Sequence, residues 1–84
     1  MTINYDPVSD TTPTIYTKNN CMQCKLSKDY MTREGIKFYE YNVEEDETAR
    51  EVVVGLGYQQ LPVIVSGFDH WSGLRPDKLA NIPR

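Results

Sequence analysis

The sequence predicts one α/β domain built on a four-stranded mixed sheet with helices on its faces, in the order β-α-β-α-β-β-α. Three observations carry this. Short β-branched and aromatic runs alternate with longer stretches of helix formers, as in chains whose strands are joined by helical crossovers. The last two strand-like runs are separated only by a turn at Gly67, which predicts an antiparallel hairpin. At 84 residues the chain has room for one core and no second one.

The first dozen residues are polar, include Pro7, and show no periodicity, so residues 1–12 are expected to be a loosely ordered extension ahead of a domain spanning 13–84. "TIYT", residues 14–17, suits a short buried strand. Asn19 and Asn20 supply a turn and a candidate N-cap for a helix from Met22 to Glu34, which Gly35 ends. "KFYEYNV", residues 37–43, reads as the second strand. The acids at 44–47 then stand where a helix begins, and capping and solubility account for them.

Ala49, Val52, Val53 and Leu56 follow the spacing of a core-facing helical stripe, with Gly57 at its exit. "LPVIVSG", residues 61–67, is an apolar strand that places Pro62 at its first position, where a missing donor is tolerated. "DHWSG" is its hairpin partner. Pro76 suits the first position of a last short helix running to Ile82, with Pro83 ending it. Helix-linked strands are expected to pair in parallel through right-handed crossovers.

Composition excludes several functions. With 39% hydrophobic and 25% charged residues the chain is an ordinary globular domain, and its net charge of −3 provides no basic footprint for nucleic acid or an anionic membrane. No apolar run approaches the roughly 18 residues of a membrane span, and the N-terminus lacks the basic end and apolar centre of a signal peptide. A cytoplasmic, monomeric protein is expected. In a reducing compartment a close cysteine pair points to catalysis or metal binding before permanent cross-linking.

Cys21 and Cys24 are the only cysteines, in "CMQC" at the opening of the first helix directly after a strand. Unpaired N–H groups and the macrodipole of a first helical turn stabilise a thiolate there, and Lys18 and Lys25 add positive potential. Such settings lower a cysteine pKa from about 8.5 toward or below 7. Cys21 is therefore read as the exposed nucleophile and Cys24, one turn inward, as the resolving thiol. Two alternatives remain open from the residues. A structural zinc needs four ligands and the chain offers two cysteines and His70, so a metal or iron–sulfur site requires cysteine pairs shared between chains. A structural disulfide closes too small a loop to constrain much of the unfolded chain. His70 itself reads as an exposed loop residue with only Asp69 beside it.

The succession of strand, C-x-x-C, helix, strand, helix and strand-leading proline resembles the thioredoxin fold in its glutaredoxin-sized form over residues 13–83. "CMQC", "QQLPV" and "WSGLRPDKL" together resemble the NrdH-redoxins, glutaredoxin-like electron donors of class Ib ribonucleotide reductase. Leu74 stands where that family commonly has phenylalanine, and Met22 where valine is frequent. The resemblance implies a redox-active Cys21–Cys24 disulfide with no bound cofactor, and a cis Pro62 facing it that leaves the Leu61 backbone to pair with an extended substrate. It further implies that Met22, Gln23 and Trp71 contribute to the partner-facing surface, and that Ser72, Arg75 and Asp77 tie the last loop to the helix. "QLPV" and "WSGLRPD" stand where glutaredoxins hold glutathione with a threonine-valine-proline and a Gly-Gly turn. The implied partners are thus NADPH-dependent thioredoxin reductase and the large subunit of a class Ib ribonucleotide reductase. A glutathione-dependent glutaredoxin is the alternative.

Overall fold

The computed structural model describes residues 12–67 and 69–82. The expected extension, apart from Thr12, and the helix-ending Pro83 lie outside the described residues. Four strands and three helices follow the expected order: β1 (Thr14–Thr17), α1 (Met22–Arg33), β2 (Tyr39–Asn42), α2 (Glu47–Gly55), β3 (Val63–Ser66), β4 (Asp69–Ser72) and α3 (Pro76–Ala80).

The sheet runs β2-β1-β3-β4. β1 pairs with β2 in parallel, Ile15 opposite Glu40, and β3 and β4 form the antiparallel hairpin. The second helical connection corrects the expectation of parallel pairing: β3 lies antiparallel to β1, with Tyr16 opposite Val63. Residues 56–62, after α2, carry the chain back across the sheet before β3 begins. This reversal brings the start of β3 to the end of β1, and so brings Pro62 to the cysteines. A parallel β3 would leave them at opposite ends of the sheet.

α1 ends in a Schellman motif, with Gly35 N–H donating to Thr32 O at 3.1 Å and Ile36 N–H to Met31 O at 2.8 Å. Gly35 takes φ +73°, where a Cβ is costly, which is why the predicted stop holds. Gly57 and Tyr58 close α2 with the same pair of bonds, to Val54 O and Val53 O. Asp46 is the N-cap of α2, its carboxylate accepting from Ala49 N–H at 3.1 Å. The acidic run thus contains the cap that the local reading assigned to it.

Ile15, Met31, Ile36, Ile64, Trp71, Leu79 and Ile82 form the buried core between the sheet, α1 and α3, with Tyr30, Phe38 and Leu74 packed against it. On α2, Ala49 and Val53 are buried, whereas Val52 is 38% exposed and departs from the expected stripe. α2 packs on the edge strand β2, and among the described residues Val52 stays partly open to solvent. No helix among the described residues is long and apolar enough to cross a membrane.

Candidate active site

The N-cap of α1 is Cys21 itself, not an asparagine. Asn20 occupies the preceding turn at φ +55°, a conformation asparagine tolerates, and Cys21 has extended backbone. Its Sγ accepts the N–H of Cys24 at 3.1 Å, so sulfur does what a serine or aspartate oxygen usually does at this position. A first-turn N–H aimed at Cys21 Sγ stabilises negative charge on that atom when the sulfur is free. Cys21 and Cys24 form a disulfide with Cα atoms 5.2 Å apart. Cys21 is half-buried, while Cys24 is only 2% exposed.

An open cleft of about 530 Å³ adjoins the pair, lined by Lys18, Asn20, Met22, Lys25 and Lys28 beside the two cysteines. Met22 stands 67% exposed at its edge. Lys25 is ion-paired to Asp29 one turn on, at 2.7 Å, so its charge is shared. Lys28 Nζ donates to Glu40 Oε2 at 2.9 Å, and the same oxygen accepts from the buried Thr17 hydroxyl at 2.9 Å.

Across from the pair, the Leu61–Pro62 peptide is cis, Pro62 is fully buried, and the Leu61 carbonyl oxygen lies 3.7 Å from Cys21 Sγ. The stretch after β4 is fastened to both sides of this opening. Gly73 N–H donates to Pro62 O at 2.8 Å. Ser72 Oγ donates to Gln60 O at 2.8 Å, and Leu74 N–H donates to Gln23 Oε1 at 3.3 Å. Three motifs separated in the sequence therefore meet as one bracket: "CMQC", "QQLP" and "WSGL".

Arg75 grips Asp77 through Nε at 3.2 Å and Nη2 at 3.0 Å, across the start of α3. The guanidinium holds the Asp77 carboxyl below the usual carboxylate range, and the carboxylate in turn raises Arg75. Ser72 ties the loop to the segment before Pro62, not to α3.

Trp71, which the resemblance assigns to the partner-facing surface, lies inside the fold. It is 4% exposed and sits opposite Ile64 in the core, with Lys78 Nζ 5.9 Å above its ring. The pleat decides this, because Trp71 and its neighbours, the exposed His70 and half-buried Ser72, point to opposite faces of β4.

Among known proteins, residues 14–71 match the glutaredoxin family. The chain is 41% identical over 69 residues to the glutaredoxin-like protein NrdH of Lactococcus lactis subsp. cremoris, covering 82% of this chain and 96% of that protein. With NrdH of Escherichia coli K12 it shares 42% over 66 residues, covering 79% and 82%. The chain belongs to the NrdH glutaredoxin-like family.

The NrdH-redoxin structure from Escherichia coli superposes with a TM-score of 0.82 at 39% identity, covering 86% of this chain and 95% of that one. A glutaredoxin from Archaeoglobus fulgidus has the same fold, with a TM-score of 0.72 at 24% identity. The protein is thus a thioredoxin-fold, glutaredoxin-like thiol–disulfide redoxin of the NrdH type, carrying its redox pair as the Cys21–Cys24 disulfide.

Several NrdH residues escaped the reading of the sequence. Gln60 and Gly73 act through backbone groups, which leave no side-chain signature. Glu40 carried no signal within the strand-like run 37–43, although parallel pairing brings its carboxylate to the Thr17 hydroxyl. His70 is exposed as expected but lies on β4, not in a loop. Its Nδ1 is 2.8 Å from the Tyr58 hydroxyl, while Asp69 accepts from its backbone N–H and not from the ring. No group of three or more His, Cys, Asp and Glu side chains among the described residues is placed to hold a metal ion.

Proposed function

We propose that this protein is a dithiol electron donor to the large subunit of a class Ib ribonucleotide reductase, and that NADPH-dependent thioredoxin reductase restores it. The observation that carries the reading is the asymmetry of the pair: Cys21 is accessible and its Sγ receives a helix N–H at 3.1 Å, whereas Cys24 is 2% exposed. The outer sulfur is the atom a partner reaches, and the inner one is held back for the second step.

In the reduced protein the Cys21 thiolate attacks one sulfur of a partner disulfide. A Cys21–partner S–S bond forms, the partner's own S–S bond breaks, and the released sulfur takes up a proton. Cys24 then loses its proton and attacks Cys21 Sγ. The Cys21–Cys24 bond forms, the mixed disulfide breaks, and the second partner sulfur is protonated. Two electrons have passed to the partner, together with the proton from Cys24 and one from solvent, which took up the proton that Cys21 lost on ionising. On this reading the Leu61 carbonyl, 3.7 Å from Cys21 Sγ and joined to the cis Pro62, accepts an N–H from an extended partner segment.

The choice of reductase draws on the family and on one relative. The Escherichia coli NrdH-redoxin is described as having a thioredoxin-like activity profile. The test compares disulfide reduction driven by NADPH and thioredoxin reductase with that driven by glutathione and glutathione reductase. Turnover with the first pair and little with the second is expected. Robust turnover with glutathione alone sinks the proposal in favour of a glutathione-dependent glutaredoxin.

A further inference from the structure

Ser27 is 0% exposed, and its hydroxyl has no hydrogen-bond partner. A helix serine commonly escapes this by bonding to the carbonyl four residues earlier, which Ser27 does not do. The burial is not incidental to the site. Cys24, Ser27 and Met31 are the buried residues of α1, so Ser27 follows Cys24 by one turn on the same inward face. Helical Cα–Cβ bonds tilt toward the N-terminus, which leans the Ser27 side chain over the turn that Cys24 occupies.

In the closed disulfide Cys24 Sγ carries no proton and little negative charge, so it is a poor acceptor. Opened, the same atom becomes a thiol or thiolate in a buried place, where an unassisted charge is costly. An orphaned hydroxyl one turn away is the donor such a sulfur lacks.

We propose that Ser27 is a positioning residue for the resolving step, its hydroxyl donating to Cys24 Sγ once the disulfide is open. This rests on Cys24 being the resolving cysteine. Ser27 keeps its own proton throughout. Cys24 gives up its proton, Cys24 Sγ bonds to Cys21 Sγ, and the departing partner sulfur is protonated. The hydroxyl favours the thiolate that makes this attack and loses its partner again when the disulfide closes. The reduced form is thereby stabilised relative to the oxidised one.

The test uses the full chain and Ser27→Ala, reacted as the reduced protein with an aromatic disulfide that releases a coloured thiolate at each step. The first release reports attack by Cys21, the second resolution by Cys24. An unchanged first release and a second slowed about ten-fold are expected. The dithiol–disulfide equilibrium should shift about ten-fold toward the disulfide, which for a two-electron couple makes the potential about 30 mV more negative. Thermal stability should fall in the reduced variant only. A second release at the parental rate, equal slowing of both releases, or an equal loss of stability in both redox states overturns the proposal. If the parental protein itself shows no second release, the failure belongs to the assignment of Cys24 instead.

Discussion

The backbone N–H of Gly73 donates to the carbonyl oxygen of Pro62 at 2.8 Å, fastening the turn after β4 to the proline that faces the disulfide. Gly73 holds φ +85° to do so. An added Cβ meets only Gln23 Oε1 at 3.7 Å, an ordinary contact, so the cost of alanine here is conformational. Gly73→Ala should lose about 1–2 kcal/mol, with a Tm lower by at least about 4 °C. Disulfide-reductase activity should fall with it as Pro62 shifts, and calorimetry beside an insulin-reduction assay checks both.

Gln23→Ala removes the acceptor of Leu74 N–H at the other side of the bracket. That donor is exposed and turns to water, so the stability loss should stay at or below about 1 kcal/mol. The expected signature is a higher KM for a protein disulfide with the alkylation rate of Cys21 unchanged across pH. A shifted alkylation profile would mean that Gln23 acts on the sulfur directly.

Cys24→Ser should accumulate a mixed disulfide through Cys21, since the accessible sulfur attacks and nothing resolves it. Peptide mapping of the trapped adduct locates the bond. An adduct that forms only in Cys21→Ser, through Cys24, reverses the two roles.

Trp71→Phe separates core from contact surface. With Trp71 4% exposed, the smaller ring should lower Tm while kcat/KM toward thioredoxin reductase stays within about two-fold. An unaltered Tm with a large loss in kcat/KM would return Trp71 to the partner-facing surface.

Asp77 is held below its unfolded value, chiefly by the hydrogen bonds from Arg75. A depressed carboxyl contributes stability that is present above the unfolded pKa of about 4 and is lost as pH falls through the lower folded value. Asp77→Asn should therefore be less stable than the parent at neutral pH, by an amount constant down to about pH 5. The gap should close on further acidification, read from urea unfolding at a series of pH values.

What was legible in the sequence was local. The two glycine stops, the Asp46 cap region, the hairpin at Gly67 and Pro76 at the first position of α3 each follow from nearby residues. So does the placing of Cys21 at a helix mouth, although the sulfur serving as its own cap did not. The direction of β3 was not legible, because residues 56–62 reverse the chain without a compositional sign and only pairing with β1 reveals it. The Gln23 bond to Leu74 spans 51 positions and the Ser72 bond to Gln60 ends on a carbonyl, so no spacing announces either. Ser27 passed as an ordinary helix residue. Only its burial and the lack of a partner set it apart.

The antiparallel union of β1 and β3 divides the site between two stretches of chain: Cys21 and Leu61 are 40 positions apart and touch only through it. The reacting sulfur comes from one stretch, and the carbonyl proposed to seat a partner backbone comes from the other. An unfolded chain thus retains a thiol pair able to reduce small disulfides, but lacks the adjoining carbonyl that a protein substrate would use. On the proposed function, discrimination between small and large disulfides would then depend on the folded sheet and not on the cysteine pair alone.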